Sequence, residues 1–134
     1  LGMILRSATA GGIDGILLPR KGNAALGPLV IKASAGTVYR APILLCEQLP
    51  QALRRCRELG AIVCTLDAEA TDSLFEQRTE GLLVYVLGNE TSGVGQEARE
   101  LSDRRLAIPM HNGVESLNVA VTASLIAFSA YLDR

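Results

Sequence analysis

Gly81-Leu82-Leu83-Val84-Tyr85-Val86-Leu87-Gly88-Asn89-Glu90 holds the most apolar run in the chain, and it passes straight into a turn of small and polar residues. Six apolar residues without alternation predict a strand covered on both faces, as in the middle of a parallel sheet. The glycine that closes the run lets the backbone turn sharply and lets another group approach it.

Working outward, the same kind of signal recurs. Ile16-Leu17-Leu18, closed by Pro19, and Ile43-Leu44-Leu45-Cys46 read as short buried strands, and Ala61–Leu66 as another. Arg105–Ile108, stopped by Pro109, reads as a further strand. Helical spacing fills the gaps. Residues 1–11 predict a helix broken by Gly11-Gly12, with further helices around Gly27–Ala35 and Gln96–Leu101. Residues 50–59 predict a surface helix: Leu49 just ahead of it and Ala52, Leu53, Cys56 and Leu59 within it fall on one face, Pro50 suits the first turn and Gly60 supplies the stop. A long helix from Ser116 to Leu132 is expected to bury Leu117, Val121, Leu125, Phe128 and Leu132. Alternation of strand and helix predicts one α/β domain with a mainly parallel sheet flanked by helices.

Composition narrows the function classes. Apolar residues at 49% and charged residues at 20% are the balance of a globular domain, and no apolar run is long enough to span a bilayer. Neither a membrane role nor a secretory leader is expected, and the location is read as cytoplasmic. Cys46, Cys56 and Cys64 include no CxxC pair and His111 has no cysteine close by, so no metal is expected and the thiols read as buried or half-buried. A net charge of −1 argues mildly against phosphate binding by this segment alone, although Arg54-Arg55-Cys56-Arg57 is locally basic.

Three segments carry candidate chemistry. Leu1-Gly2-Met3-Ile4-Leu5-Arg6-Ser7-Ala8 places an arginine in the opening helix, a position that by itself reads as surface. Leu87-Gly88-Asn89-Glu90-Thr91-Ser92-Gly93-Val94-Gly95 follows the buried strand. It is neither a Walker loop nor GxGxxG, and alone it serves a structural turn as well as a ligand. Ile108-Pro109-Met110 precedes Glu115-Ser116-Leu117-Asn118-Val119-Ala120, where Ser116 suits an N-cap and Asn118 the first helical turn.

Together, in this order and at these separations, the three segments resemble the motifs of the SpoU (TrmH-type) RNA ribose 2′-O-methyltransferases, and Lys32-Ala33-Ser34-Ala35-Gly36 resembles a fourth family segment. The resemblance covers nearly the whole chain. It implies an α/β sheet with a deep C-terminal trefoil knot over roughly residues 83–134, which periodicity does not show and the usual rule against threaded chains would not suggest. It implies transfer of a methyl group from S-adenosylmethionine to a ribose 2′-hydroxyl of ribosomal or transfer RNA, without a metal. Cofactor contacts are implied at Thr65, Leu66, Leu87, Gly88, Asn89, Ile108, Met110, Leu117 and Ala120, mostly through backbone groups. Arg6 matches the arginine that serves the hydroxyl; Glu90, Ser116 and Asn118 match the other polar positions. A homodimer through the knotted region is implied, with Phe128 and Tyr131 on or beside the apolar stripe of the last helix.

The family has an asparagine and a strand ahead of the first motif, and many members carry an added RNA-binding domain. A chain opening on Leu1 matches neither, as a catalytic domain of residues 1–134 cut from a longer protein would. Two other readings fit parts of the pattern: a nucleotide-binding α/β domain without catalysis, and a knotted methyltransferase acting on a base. Arg6 and the Ser116/Asn118 pair speak against the first, and Asn89-Glu90 with Ser116-Leu117-Asn118 against the second.

Overall fold

The computed structural model describes residues 2–19, 43–76, 81–88, 95–114 and 117–129. The helix expected around 27–35 lies outside them. The chain falls into two compact units, Leu1–Leu49 with Ala120–Arg134, and Pro50–Val119.

In the first unit, helix α1 (Gly2–Ala10) leads to strand β1 (Ile16–Pro19), which pairs in parallel with β2 (Ile43–Cys46). Helix α1 buries Leu5 and Ala8. Its end is a Schellman closure: Ile13 N–H donates to the Ala8 carbonyl and Gly12 N–H to that of Thr9, at 3.1 Å each. Gly12 takes the left-handed conformation that this closure needs, with φ of 84°. Gly11 has a different task. A Cβ there would lie 2.4 Å from the Cβ of Ala127, so the glycine is what allows this close approach.

Ala127 belongs to the last described helix, which we number α4 (Val119–Ser129). Here the structure corrects the sequence reading. The buried side of α4 is Ala123, Ile126 and Ala127. Val121 and Phe128 are 47% and 46% exposed, Leu125 is half-buried, and Leu117 precedes the helix and is exposed. The close approach of Gly11 requires a small residue at 127; Ala123 and Ile126 are buried along with it, and Val121 and Phe128 lie outward. The helix also starts at Val119, which puts Asn118, not Ser116, immediately ahead of the first helical residue. Leu132 and Tyr131 lie outside the described residues.

The second unit opens on α2 (Leu49–Glu58), which buries Leu53 and is closed by a second Schellman motif. Ala61 N–H donates to the Cys56 carbonyl at 2.9 Å and Gly60 N–H to Arg57 at 3.0 Å, with Gly60 at φ of 94°. Leu59, expected on the buried face, falls beyond the helix and is exposed. Then come β3 (Ile62–Leu66), β4 (Asp72–Ser73), β5 (Leu83–Val86), helix α3 (Gln96–Glu100) and β6 (Arg104–Ala107).

All strand pairs of the second unit are parallel, in the order β4-β6-β3-β5. The central buried strand is β3, whose Val63, Cys64 and Thr65 are almost inaccessible. Strand β5, read from its unbroken apolar run as central, pairs among the described residues with β3 alone and is mostly half-buried. Cys64 is buried and Cys46 and Cys56 are half-buried, none in a disulfide. Among the described residues no helix is long and apolar enough to cross a membrane.

The Gly11 contact predicts that Gly11→Ala destabilises the protein by about 1–3 kcal/mol through overpacking, read as a lower thermal midpoint. Gly95, the N-cap of α3, has open space around it and no side-chain cap bond, so Gly95→Ser is expected to hold or slightly raise that midpoint.

Candidate cofactor-binding edge of the sheet

Parallel strands end on the same side, so the loops that follow them gather along one edge, where α/β sheets commonly take ligands. The register brings three of them level. Thr65 sits beside Val86 on one side and Arg105 on the other, and Leu66 beside Leu106. Strands β6, β3 and β5 therefore deliver Ile108 and Met110, Thr65 and Leu66, and Leu87 and Gly88 to one edge. These six are candidate residues from separate parts of the sequence, and the sheet collects them. Beside them, the stretch 68–73 and the segment from Ala107 to Met110 with Val114 line a groove of about 670 Å³.

The side chain of Thr65 is not turned to a ligand. The residue is 1% exposed, and its hydroxyl lies 2.9 Å from the Ser102 hydroxyl. Ser102 donates its own proton to the Arg104 carbonyl at 2.6 Å, so Thr65 is the donor in the pair. Neither its hydroxyl nor, at 1% exposure of the whole residue, its backbone is open at the surface; the accessible part of this segment begins at Leu66. Next to this chain, the Asp103 carboxylate accepts the Val63 N–H at 2.9 Å, the Asp103 N–H donates to the Val63 carbonyl at 2.8 Å, and Arg57 pairs with Asp103 at 3.2 Å. Polar groups at the start of β6 thus pin it to β3.

At the other end of β3, Asp67 accepts from Arg105 Nε at 3.0 Å and from its Nη2, and also from the Glu69 N–H at 2.9 Å. These bonds, led by that to Arg105, hold the Asp67 carboxyl below the usual carboxylate range. A lowered folded value means that the stability from these contacts is present above the unfolded carboxylate range and is lost as pH falls through the folded value. Burial pushes the Cys64 thiol up, which keeps it protonated at neutral pH.

Of the remaining candidates, Arg6 is exposed on α1 and Ala120 is half-buried in α4, both in the first unit. Leu117 and Asn118 are exposed at the end of the second. Asn89, Glu90 and Ser116 lie outside the described residues. Ser102, Asp103, Asp67 and Arg105 were not singled out by the sequence. Their partners are up to 40 positions away, and no local pattern marks such pairs.

Comparison with known proteins gives this edge its context. The model of the SpoU rRNA Methylase family matches residues 1–128. The chain belongs to that family. A 23S rRNA (guanosine-2′-O-)-methyltransferase RlmB of Xylella fastidiosa is 34% identical over 134 residues, which are 100% of this chain and 54% of that protein. Its counterpart from Xanthomonas axonopodis is 35% identical with the same coverage. The chain spans about half the length of the curated relatives it matches. Among solved structures, the SpoU methyltransferase AviRb of Streptomyces viridochromogenes in complex with AdoMet has a TM-score of 0.87 at 25% identity, over 98% of this chain and 54% of that one. An AdoMet-bound rRNA methyltransferase of Sinorhizobium meliloti has a TM-score of 0.89 at 25% identity, over 99% and 51%.

The Thr65 geometry makes a prediction of its own. Thr65→Val is expected to cost about 1 kcal/mol of stability by removing a buried donor and to leave cofactor affinity nearly unchanged, whereas Thr65→Ser preserves both. Thermal unfolding and titration with S-adenosylhomocysteine measure the two quantities separately.

Proposed function

We propose that residues 1–134 form the catalytic domain of an S-adenosylmethionine-dependent RNA ribose 2′-O-methyltransferase. The observation that carries this reading is the sheet edge, where the start of the Leu87–Gly95 motif at the end of β5 and the Ile108–Met110 motif at the end of β6 flank Thr65-Leu66 at the end of β3. The edge fits the cofactor chemically. Leu66, Leu87, Ile108 and Met110 offer apolar walls and Gly88 an open backbone, while Thr65 has its hydroxyl engaged elsewhere, so backbone amides and carbonyls are left to fix a polar ligand edge. Asn89, Leu117 and Ala120 complete the proposed set.

When bound, S-adenosylmethionine supplies a methyl group activated on a positive sulfur. The chain's own residues have to align the ribose hydroxyl and manage its proton. Arg6 is the proposed catalytic residue. A guanidinium has five donors and no acceptor, so it does not take the proton itself. It stabilises the oxygen as negative charge develops, or holds a neighbouring phosphate that accepts the proton. Glu90, Ser116 and Asn118 orient Arg6, the nucleotide and the loops; Asn118, just ahead of α4, also suits capping of that helix.

The family resemblance supports a trefoil knot in the C-terminal part of this domain, a cytoplasmic location and a ribosomal or transfer RNA substrate. It also supports a homodimer. The exposed Val121 and Phe128, seven residues apart on one face of α4, are suited to such an interface. Val121→Glu with Phe128→Glu is expected to shift the sedimentation coefficient from dimer to monomer; a wild-type monomer at micromolar concentration would count against the dimer.

Calorimetric titration with S-adenosylhomocysteine tests the central reading, with one site per chain expected. Arg6→Ala is expected to retain that binding and to lose methylation of RNA by labelled cofactor by at least about a hundredfold. Loss of binding as well would deny Arg6 a purely catalytic role, and absence of binding by folded wild type would overturn the reading.

A further inference from the structure

We propose that Asp67 is a positioning residue for the cofactor, acting through the turn that walls the groove at the end of β3. The proposal rests on the reading that the cofactor binds along this sheet edge.

Every polar group of Asp67 is used, and each bond has a different consequence. Its N–H donates to the Leu106 carbonyl at 2.9 Å, which extends the β3–β6 ladder by one step beyond Leu66. Its carbonyl accepts the Ala70 N–H at 3.0 Å and its Oδ1 the Glu69 N–H at 2.9 Å, which together close the turn over residues 67–70. Its Oδ2 accepts from both Nε and Nη2 of Arg105 on β6. One side chain therefore ties the end of the central strand, the turn and the neighbouring strand together.

The turn is where ligand contact would be felt. Ala68, Ala70 and Ser73 line one side of the groove, and Ile108, Met110 and Val114 line another. Among the described residues, the side chains from Ala68 to Thr71 make no hydrogen bond of their own, so the Asp67 carboxylate is the side-chain anchor of that wall. Its side chain is 11% exposed and that of Arg105 54%. The arginine end is open to water while the carboxylate is largely covered, so the pair adds only modestly to global stability. Its effect is local, on the shape of the groove that a ligand meets.

Five proteins test this by calorimetry with S-adenosylhomocysteine: wild type, Arg105→Gln, Arg105→Lys, Asp67→Asn and Asp67→Ala. Arg105→Gln and Asp67→Asn break the ion pair while leaving an acceptor for Glu69, and are expected to raise Kd about three- to tenfold. Asp67→Ala removes both anchors and is expected to raise it more than about tenfold, on the scale of hydrogen bonds to charged groups. Arg105→Lys is expected to recover part of the loss, and thermal midpoints are expected to stay within a few degrees of wild type. In assays of RNA methylation, kcat at saturating cofactor is expected to hold within about twofold while KM for the cofactor rises. Unchanged affinity in Asp67→Ala, with wild type binding normally, overturns the positioning role alone. Affinity that falls only in step with the thermal midpoint also overturns it, since the residue would then be merely structural. Failure of wild type to bind removes the site itself, and the positioning role with it.

Discussion

Parallel pairing is the constraint on which the second unit depends. A parallel strand cannot be reached from its neighbour by a tight turn, so each connection must cross back over the sheet before the next strand begins. Every strand then ends on the same side. Once β3 has β5 on one flank and β6 on the other, the residues after Leu66, Val86 and Ala107 have to meet at one edge. The local sequences need only be compatible with that meeting: a glycine after β5, a proline between Ile108 and Met110, and a carboxylate after β3. The side-chain bonds of Ser102, Asp103, Asp67 and Arg105 then fix β6 against β3 at both ends of their contact.

Much of this was legible in the sequence, because short apolar runs bounded by Gly and Pro mark strands whatever surrounds them. Ile43–Cys46 was read to the residue, and β1, β3, β5 and β6 within one or two positions. Which strand lies centrally was not legible. Leu83–Val86 is the more apolar segment, yet Ile62–Leu66 is flanked on both sides, because burial follows neighbours in the sheet as well as side-chain chemistry. Strand β4 left no trace either: Asp72 and Ser73 are polar, and only pairing with Leu106 and Ala107 makes them a strand.

The last helix failed in an instructive way. Val121, Leu125 and Phe128 form a regular apolar stripe, and spacing alone assigns the stripe to the core. Two apolar faces were in fact available, and the buried one is that of Ala123, Ile126 and Ala127, where Ala127 meets Gly11 too closely for a further Cβ. At the site, the motifs indicated which loops to watch but not which atoms are free within them. Thr65 matches a family contact position, yet it lies inside β3 and its hydroxyl is bonded to Ser102, 37 positions later. Such pairs are set by the register of strands distant in sequence, and no window of the chain contains both partners.

The strand order also bears on the order of assembly. Strand β3 reaches β5 by closing a shorter loop than it needs to reach β6, which favours the β3–β5 ladder, and among the described residues β4 pairs with β6 alone. The wall from Ala68 to Ser73 precedes β6 in the chain and yet depends on it, through Arg105 and through the pairing of Asp72 with Leu106. It is therefore complete only once β6 is in place. By the same logic it is among the first to open when β6 loosens, so amide exchange in this wall should report the docking of β6 rather than the fraying of a surface turn.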